Sequence, residues 1–152
     1  MASQYKDFLD AVLTECRAQE TTGRVTDSSQ IIRLDWDDIQ RLKGFNICWT
    51  RPQTHGVIHS RDDRAYPCHL ILVRGGRSGG WDEEATYHQD LFEKLRRHFH
   101  DKRPFASSVA KTGSSLLPCR VTEGSVPAGV KEKNDVHHLI VWCWIRETRN
   151  AP

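Results

Sequence analysis

The chain has 152 residues, a length that suits one domain and can bury roughly 68–70% of its unfolded surface without a metal or disulfide staple. Charged residues make up 28% and hydrophobic residues 38%, which excludes a disordered chain, while a net charge of +2 is too small to imply a phosphate-binding surface by itself. Five cysteines without a Cys-x-x-Cys pair argue against a secreted disulfide framework and for a reducing, intracellular compartment.

Tyr5, Phe8, Leu9, Val12, Leu13 and Cys16 recur at three- and four-residue steps, which predicts a helix over residues 4–18 with these side chains on one stripe. Charges run through this segment and no stretch approaches 18 apolar residues, so neither a signal peptide nor a membrane span is expected. Residues 19–29 are polar and read as a loop. Ile32, Leu34 and Trp36 then alternate with Arg33 and Asp35, the pattern of a short half-buried strand. Asp35 is placed to cap a short helix, WDDIQRLKG, with acids in its first turn and Gly44 as its stop. Phe45, Ile47 and Trp49 predict a second strand, and residues 51–64 read as a polar connection with a minor apolar piece at Val57 and Ile58.

YPCHLILVR, Tyr66 to Arg74, is an uninterrupted apolar strand, expected to be covered on both faces. A glycine-rich loop follows at 75–80, then a helix from about Asp82 to Arg103 closed by Pro104, with Ala85, His88, Leu91, Phe92, Leu95 and Phe99 as its buried stripe. SLLPCRVT is a further strand candidate, at an edge or a bulge because it contains Pro118. EGSVPAGVKEKN reads as a long loop and NDVHHLIVWCWIRE as the last strand. With no internal repeat and no dividing linker, residues 1–152 read as a single α+β domain. The expected form is a two-layer or three-layer sandwich, with a mainly antiparallel sheet of about five strands and two long helices on its faces.

His137 and His138 stand next to each other in the last strand. Neighbouring strand side chains point to opposite faces, so the doublet cannot share one ion. His137 and Cys143 share a face but lie roughly 20 Å apart, far beyond a common metal. Nor does the doublet have the downstream turn and helix that an HNH nuclease motif needs. His98 and His100 diverge on a helix, and His55 and His59 would stand roughly 13 Å apart on a strand. A site joining His88 to His137 is left as the distant possibility; no metal is expected. Cys119, between Pro118 and Arg120, is the thiol with the least apolar surroundings.

The run LILVRGGRSGGWDEEA orders strand, glycine loop and helix in the way that cradles phosphates, with Arg74, Gly76, Arg77, Gly79 and Gly80 as candidate anion ligands. It lacks the lysine of a Walker loop and the glycine spacing of the dinucleotide fingerprint. Over about thirty residues the strand, loop and helix resemble the cofactor segment of GNAT-type acetyltransferases, where Arg77 and Gly80 match and Asp82 departs from the small residue of that pattern. The resemblance implies an acyl-CoA or nucleotide ligand, whereas Asp82, Glu83 and Glu84 would repel a pyrophosphate at the helix start. SVAKTG, residues 108–113, holds two penicillin-recognition strings that share one Lys111, a coincidence in a loop.

Arg51, Arg61 and Arg64 in one loop, with Arg96, Arg97, Lys102 and Arg103 around the end of the long helix, are the candidate contacts to nucleic-acid phosphates. Every catalytic pattern fails on geometry or completeness, so the leaning is against an enzyme and no cofactor is expected. The leading expectation is a small intracellular binding or adaptor domain with a protein partner. A nucleic-acid-associated protein comes second, and a transferase-like enzyme using the glycine loop third.

Overall fold

The structure is a computed structural model that describes residues 3–26, 29–51, 53–58, 61–75 and 83–148. Helix α1 (Gln4–Gln19) opens at Ser3, whose side-chain oxygen accepts from the Lys6 N–H. Phe8, Leu9, Val12 and Cys16 are buried as their spacing predicts, with Tyr5 and Leu13 partly covered. The polar stretch after α1 is wound around one buried carboxylate. Glu20 accepts from the N–H groups of Thr22 and Val25 and from the hydroxyls of Thr22, Thr26 and Tyr87. Burial raises its pKa, but these hydrogen bonds outweigh burial and bring it down to about 2.

Strand β1 (Gln30–Arg33) leads into helix α2 (Trp36–Leu42), capped as expected by Asp35, whose carboxylate accepts from Asp37 and Asp38 N–H at 3.0 and 3.4 Å. Lys43 and Gly44, with φ of 55° and 69°, then reverse the chain into β2 (Gly44–Trp49). Residues 53–58 and 61–64 depart from the polar connection expected over 51–64. Gln53–Ile58 forms β3, and β4 runs from Arg61 to Gly75, starting five residues earlier than Tyr66. Charge pairing replaces apolar alternation at that end of β4. Arg146 grips Asp63 with two bonds of 2.7 and 3.0 Å, and Arg64 meets Glu147 at 3.4 Å.

Helix α3 (Glu83–Phe99) buries all six residues of its predicted stripe but stops four residues short of Arg103. Asp101 takes the left-handed conformation, φ 58°, and the chain after it pairs with Cys119: Asp101 N–H donates to the Cys119 carbonyl and Cys119 N–H to the Lys102 carbonyl, both at 2.8 Å. A 3-10 turn at Ser107–Val109 follows. Pro118 splits the single expected strand into β5 (Ser114–Leu116) and β6 (Arg120–Glu123). The expected long loop holds helix α4 (Ala128–Lys133) just after Pro127, and β7 (Asn134–Thr148) completes the chain.

The described strands form one seven-stranded sheet in the order β1-β2-β4-β7-β5, with β3 also on β4 and β6 also on β7. It exceeds the expected five because the polar segment and the split strand each add one. Only β1 and β2 are parallel; β4 and β7 form the spine, paired from Arg61 opposite Thr148 to Gly75 opposite Asn134. Both long helices lie on the same face of the sheet. Phe8 and Val12 of α1 and Leu91, Leu95 and Phe99 of α3 share a core with Leu70, Leu72, Leu139, Val141, Cys143 and Ile145.

The opposite face is covered in part. There α2 places Ile39 over Cys48, Ile71 and Val73, while Ile140, Trp142 and Trp144 are half-buried rather than enclosed between two layers. Seven helical residues reach only about 10 Å, against about 50 Å for a fifteen-residue strand. No helix among the described residues is long and apolar enough to cross a membrane.

Candidate functional site

Because β1 and β2 run parallel, their carboxyl ends lie side by side. Arg33 stands opposite Trp49, and the Leu34 N–H donates to the Trp49 carbonyl at 3.0 Å. Helix α1 lays Tyr5 across this end of the sheet. Its hydroxyl donates to the Pro67 carbonyl and accepts from the Thr50 N–H at 2.9 Å. Burial raises the Tyr5 pKa, so the phenol is neutral and holds its proton.

Two clefts open here and share Tyr5 and Trp49 as walls. One, about 450 Å³, is completed by Arg33, Leu34, Thr50 and Arg51; the other, about 470 Å³, by Ser3, Lys6, Leu9 and Ile31. Trp49 is 40% exposed, although its ring has the apolar area of a core residue. The Arg33 guanidinium lies 5.9 Å from the indole centroid, the outer limit of cation–π attraction. Among the described residues no carboxylate lines either cleft, and neither Arg33 nor Arg51 forms an ion pair with a described residue. Lys6 is held by Asp10 at 2.7 Å.

Behind the first cleft runs a chain of four polar groups whose hydrogen positions follow from one another. His138 Nδ1 lies 2.9 Å from the Ser125 carbonyl, which can only accept, so Nδ1 carries the proton. Neutral His138 then has a lone pair on Nε2, which must accept from His69 Nδ1 at 2.9 Å. His69 in turn accepts on Nε2, and the Thr50 hydroxyl, 3.3 Å away, donates to it. Both rings are neutral near pH 7: burial, with His138 adjacent, lowers the His69 pKa to about 4, and burial lowers that of His138.

The order hydroxyl, imidazole, orienting group resembles an activated nucleophile. A base with a pKa of about 4 has little affinity for a hydroxyl proton near neutrality, however. The chain therefore orients Thr50 rather than deprotonating it.

The histidine doublet diverges as the pleat requires. His138 faces His69 and Trp36, whereas His137 faces α3 and stacks on Phe92 with centroids 5.0 Å apart. A cleft of about 280 Å³ beside β7 touches both residues, but Glu93 and Glu123 line it and Arg96 is paired with Glu123 at 3.3 Å. His88 lies near His137, ring centroids 6.2 Å apart, with its buried Nδ1 unbonded. No three His, Cys, Asp or Glu side chains converge on a metal position among the described residues. Cys119, the thiol with the least apolar surroundings in sequence, is nonetheless buried at 1% exposure, in the same core as Cys68 and Cys143.

The candidate cations do not gather into one surface. Arg51 is at the Trp49 clefts. Arg64 meets Glu147, Arg96 meets Glu123 and Arg97 meets Glu93, while Lys102 and Arg103 are exposed beyond the end of α3. Arg61 begins β4. In the glycine loop, Arg74 bonds Asp135 across the spine at 2.9 Å, and Gly76, Arg77, Gly79 and Gly80 lie outside the described residues.

Sequence reasoning missed Arg33, Trp49, Thr50 and His69. Trp49 fits the alternation of β2, so only its position as the last residue of the strand, followed by Thr50 and Arg51, could have marked it. Comparison with models of protein families finds no match, and comparison with curated proteins finds none either.

Proposed function

We propose that this protein is a binding domain whose ligand is a nucleotide unit, free or within a single strand, seated on Trp49. The observation that carries the reading is the exposed indole at the meeting of two clefts, lined by Arg33 and Arg51, neither of them ion-paired with a described residue, and by no carboxylate among the described residues. An aromatic platform offers a surface to a base, and cations without acidic neighbours suit the phosphate attached to it. The clefts also fall within the range of ~300–1,000 Å³ usual for small-ligand sites. This reading takes up the second expectation, nucleic-acid association, and keeps Arg51 but leaves the α3 end, where Arg96 and Arg97 already face acids; the protein partner of the leading expectation gives way to an aromatic anion.

The test is fluorescence anisotropy with labelled single-stranded hexanucleotides, competed with unlabelled mononucleotide to separate strand binding from free-nucleotide binding. Trp49→Ala should weaken binding by roughly 5- to 150-fold, the value of one base stack. Two phosphate contacts, from Arg33 and Arg51, give an expected slope of log affinity against log salt of about −1.4, reduced by about 0.7 in Arg51→Ala. Arg96→Ala should leave both quantities unchanged. Absence of binding at low salt, or binding indifferent to Trp49→Ala, would overturn the reading.

A further inference from the structure

We infer that Thr50 is a specificity-determining residue that presents only hydrogen-bond acceptors to the ligand, and so selects a base bearing an exocyclic amino group. The inference rests on the nucleotide reading of the Trp49 cleft. A free hydroxyl is indiscriminate, because it can turn to donate or to accept. Thr50 cannot turn freely. Its proton is claimed by His69 Nε2, His69 is fixed by His138, and His138 is fixed by a carbonyl that has no proton to give.

The Thr50 N–H is also taken, by the Tyr5 hydroxyl. What Thr50 Oγ1 offers to the cleft that Thr50 lines is therefore its lone pairs and no proton. A donor N–H of the ligand is satisfied there. A ligand acceptor placed at the same point meets lone pair against lone pair, and a bare C–H leaves the hydroxyl oxygen unpaired once the cleft is filled. His69, the group that takes the Thr50 proton, is 7% exposed, so water has little access to that bond from behind.

Hexanucleotides of adenosine and of purine riboside, which lacks only the amino group, are compared by anisotropy with the wild-type chain, Thr50→Val, Thr50→Ser and Trp49→Ala. The wild type should prefer adenosine by roughly 3- to 10-fold, the range of one neutral hydrogen bond. Thr50→Val should bind both equally, and Thr50→Ser, which keeps the hydroxyl, should restore the preference. Thermal melting of each variant confirms that it is folded.

Equal wild-type affinity for the two strands, with binding still lost in Trp49→Ala, would overturn the role of Thr50 while leaving the nucleotide reading intact. A preference that survives Thr50→Val would do the same. Binding of neither strand would overturn both.

Discussion

At the scale of single residues, the direction of a hydroxyl proton is decided by a carbonyl three groups away. Ser125 fixes His138, His138 fixes His69, and His69 fixes Thr50. One residue keeps this chain in place from outside. Gly124 donates its N–H to the His138 carbonyl at 3.0 Å, and a Cβ there would overlap the His138 ring. Gly124→Ala should therefore displace the ring and cost about 1–3 kcal/mol, the usual effect of overpacking. Urea unfolding measures the cost, and nitrogen NMR of the imidazoles reads the tautomers. Unchanged stability with unchanged tautomers would show that the glycine is not needed there. Neither the glycine's purpose nor the tautomers can be read in sequence, because Gly124, His69 and His138 meet only once β6, β4 and β7 are side by side.

At the scale of elements, α2 is the sheet's cover on the side opposite the long helices. It is short enough for its cap to matter. Asp35 satisfies two N–H groups of its first turn, and Ile39 closes over Cys48, Ile71 and Val73. Asp35→Ala should cost about 1 kcal/mol, and Asp35→Asn much less, because the amide oxygen still accepts. Denaturant midpoints at constant slope are the measurement; an equal loss in both variants would mean that charge, not capping, is what Asp35 contributes. This helix was legible because its signals are local: a capping acid, a first turn of acids and a glycine stop. The two strands of 53–75 were not fully legible, since Asp63 and Arg64 are held in β4 by pairing with β3 and by Arg146 and Glu147 of β7, more than eighty residues on.

At the scale of the whole molecule, four histidines are held neutral against their ordinary pKa. Burial is the first cause for each of His69, His88, His137 and His138, and His69 is lowered to about 4 from 6.5. Between those values the unfolded chain binds protons that the folded chain refuses. Stability is therefore full above about pH 6.5 and falls as the pH drops toward 4. From His69 alone the loss between about pH 7.5 and pH 5 is about 2 kcal/mol. Glu20 acts in the same direction at lower pH, its contribution fading below its ordinary value of 4.5 toward 2. Urea midpoints at the two pH values test this. Replacing both members of the hydrogen-bonded pair, His69→Leu with His138→Leu, should flatten the dependence, and an unchanged slope would exclude the pair as its source.

The amino-acid order by itself determined the α+β class, the two amphipathic helices with their buried stripes, the capped α2 and the divergence of His137 from His138. These follow from periods of 3.6 and 2 residues and from the chemistry of a helix start, all of which act within a few positions along the chain. Tertiary structure alone decided that both long helices share one face, that β4 and β7 form a fifteen-pair spine, and that Trp49 is left half in the open beside Arg33. The physical reason is reach. A strand's pattern says that a face is apolar, but which neighbour covers it, and where that cover stops, depends on elements brought together from far apart. The cleft at Trp49 lies where that cover runs out.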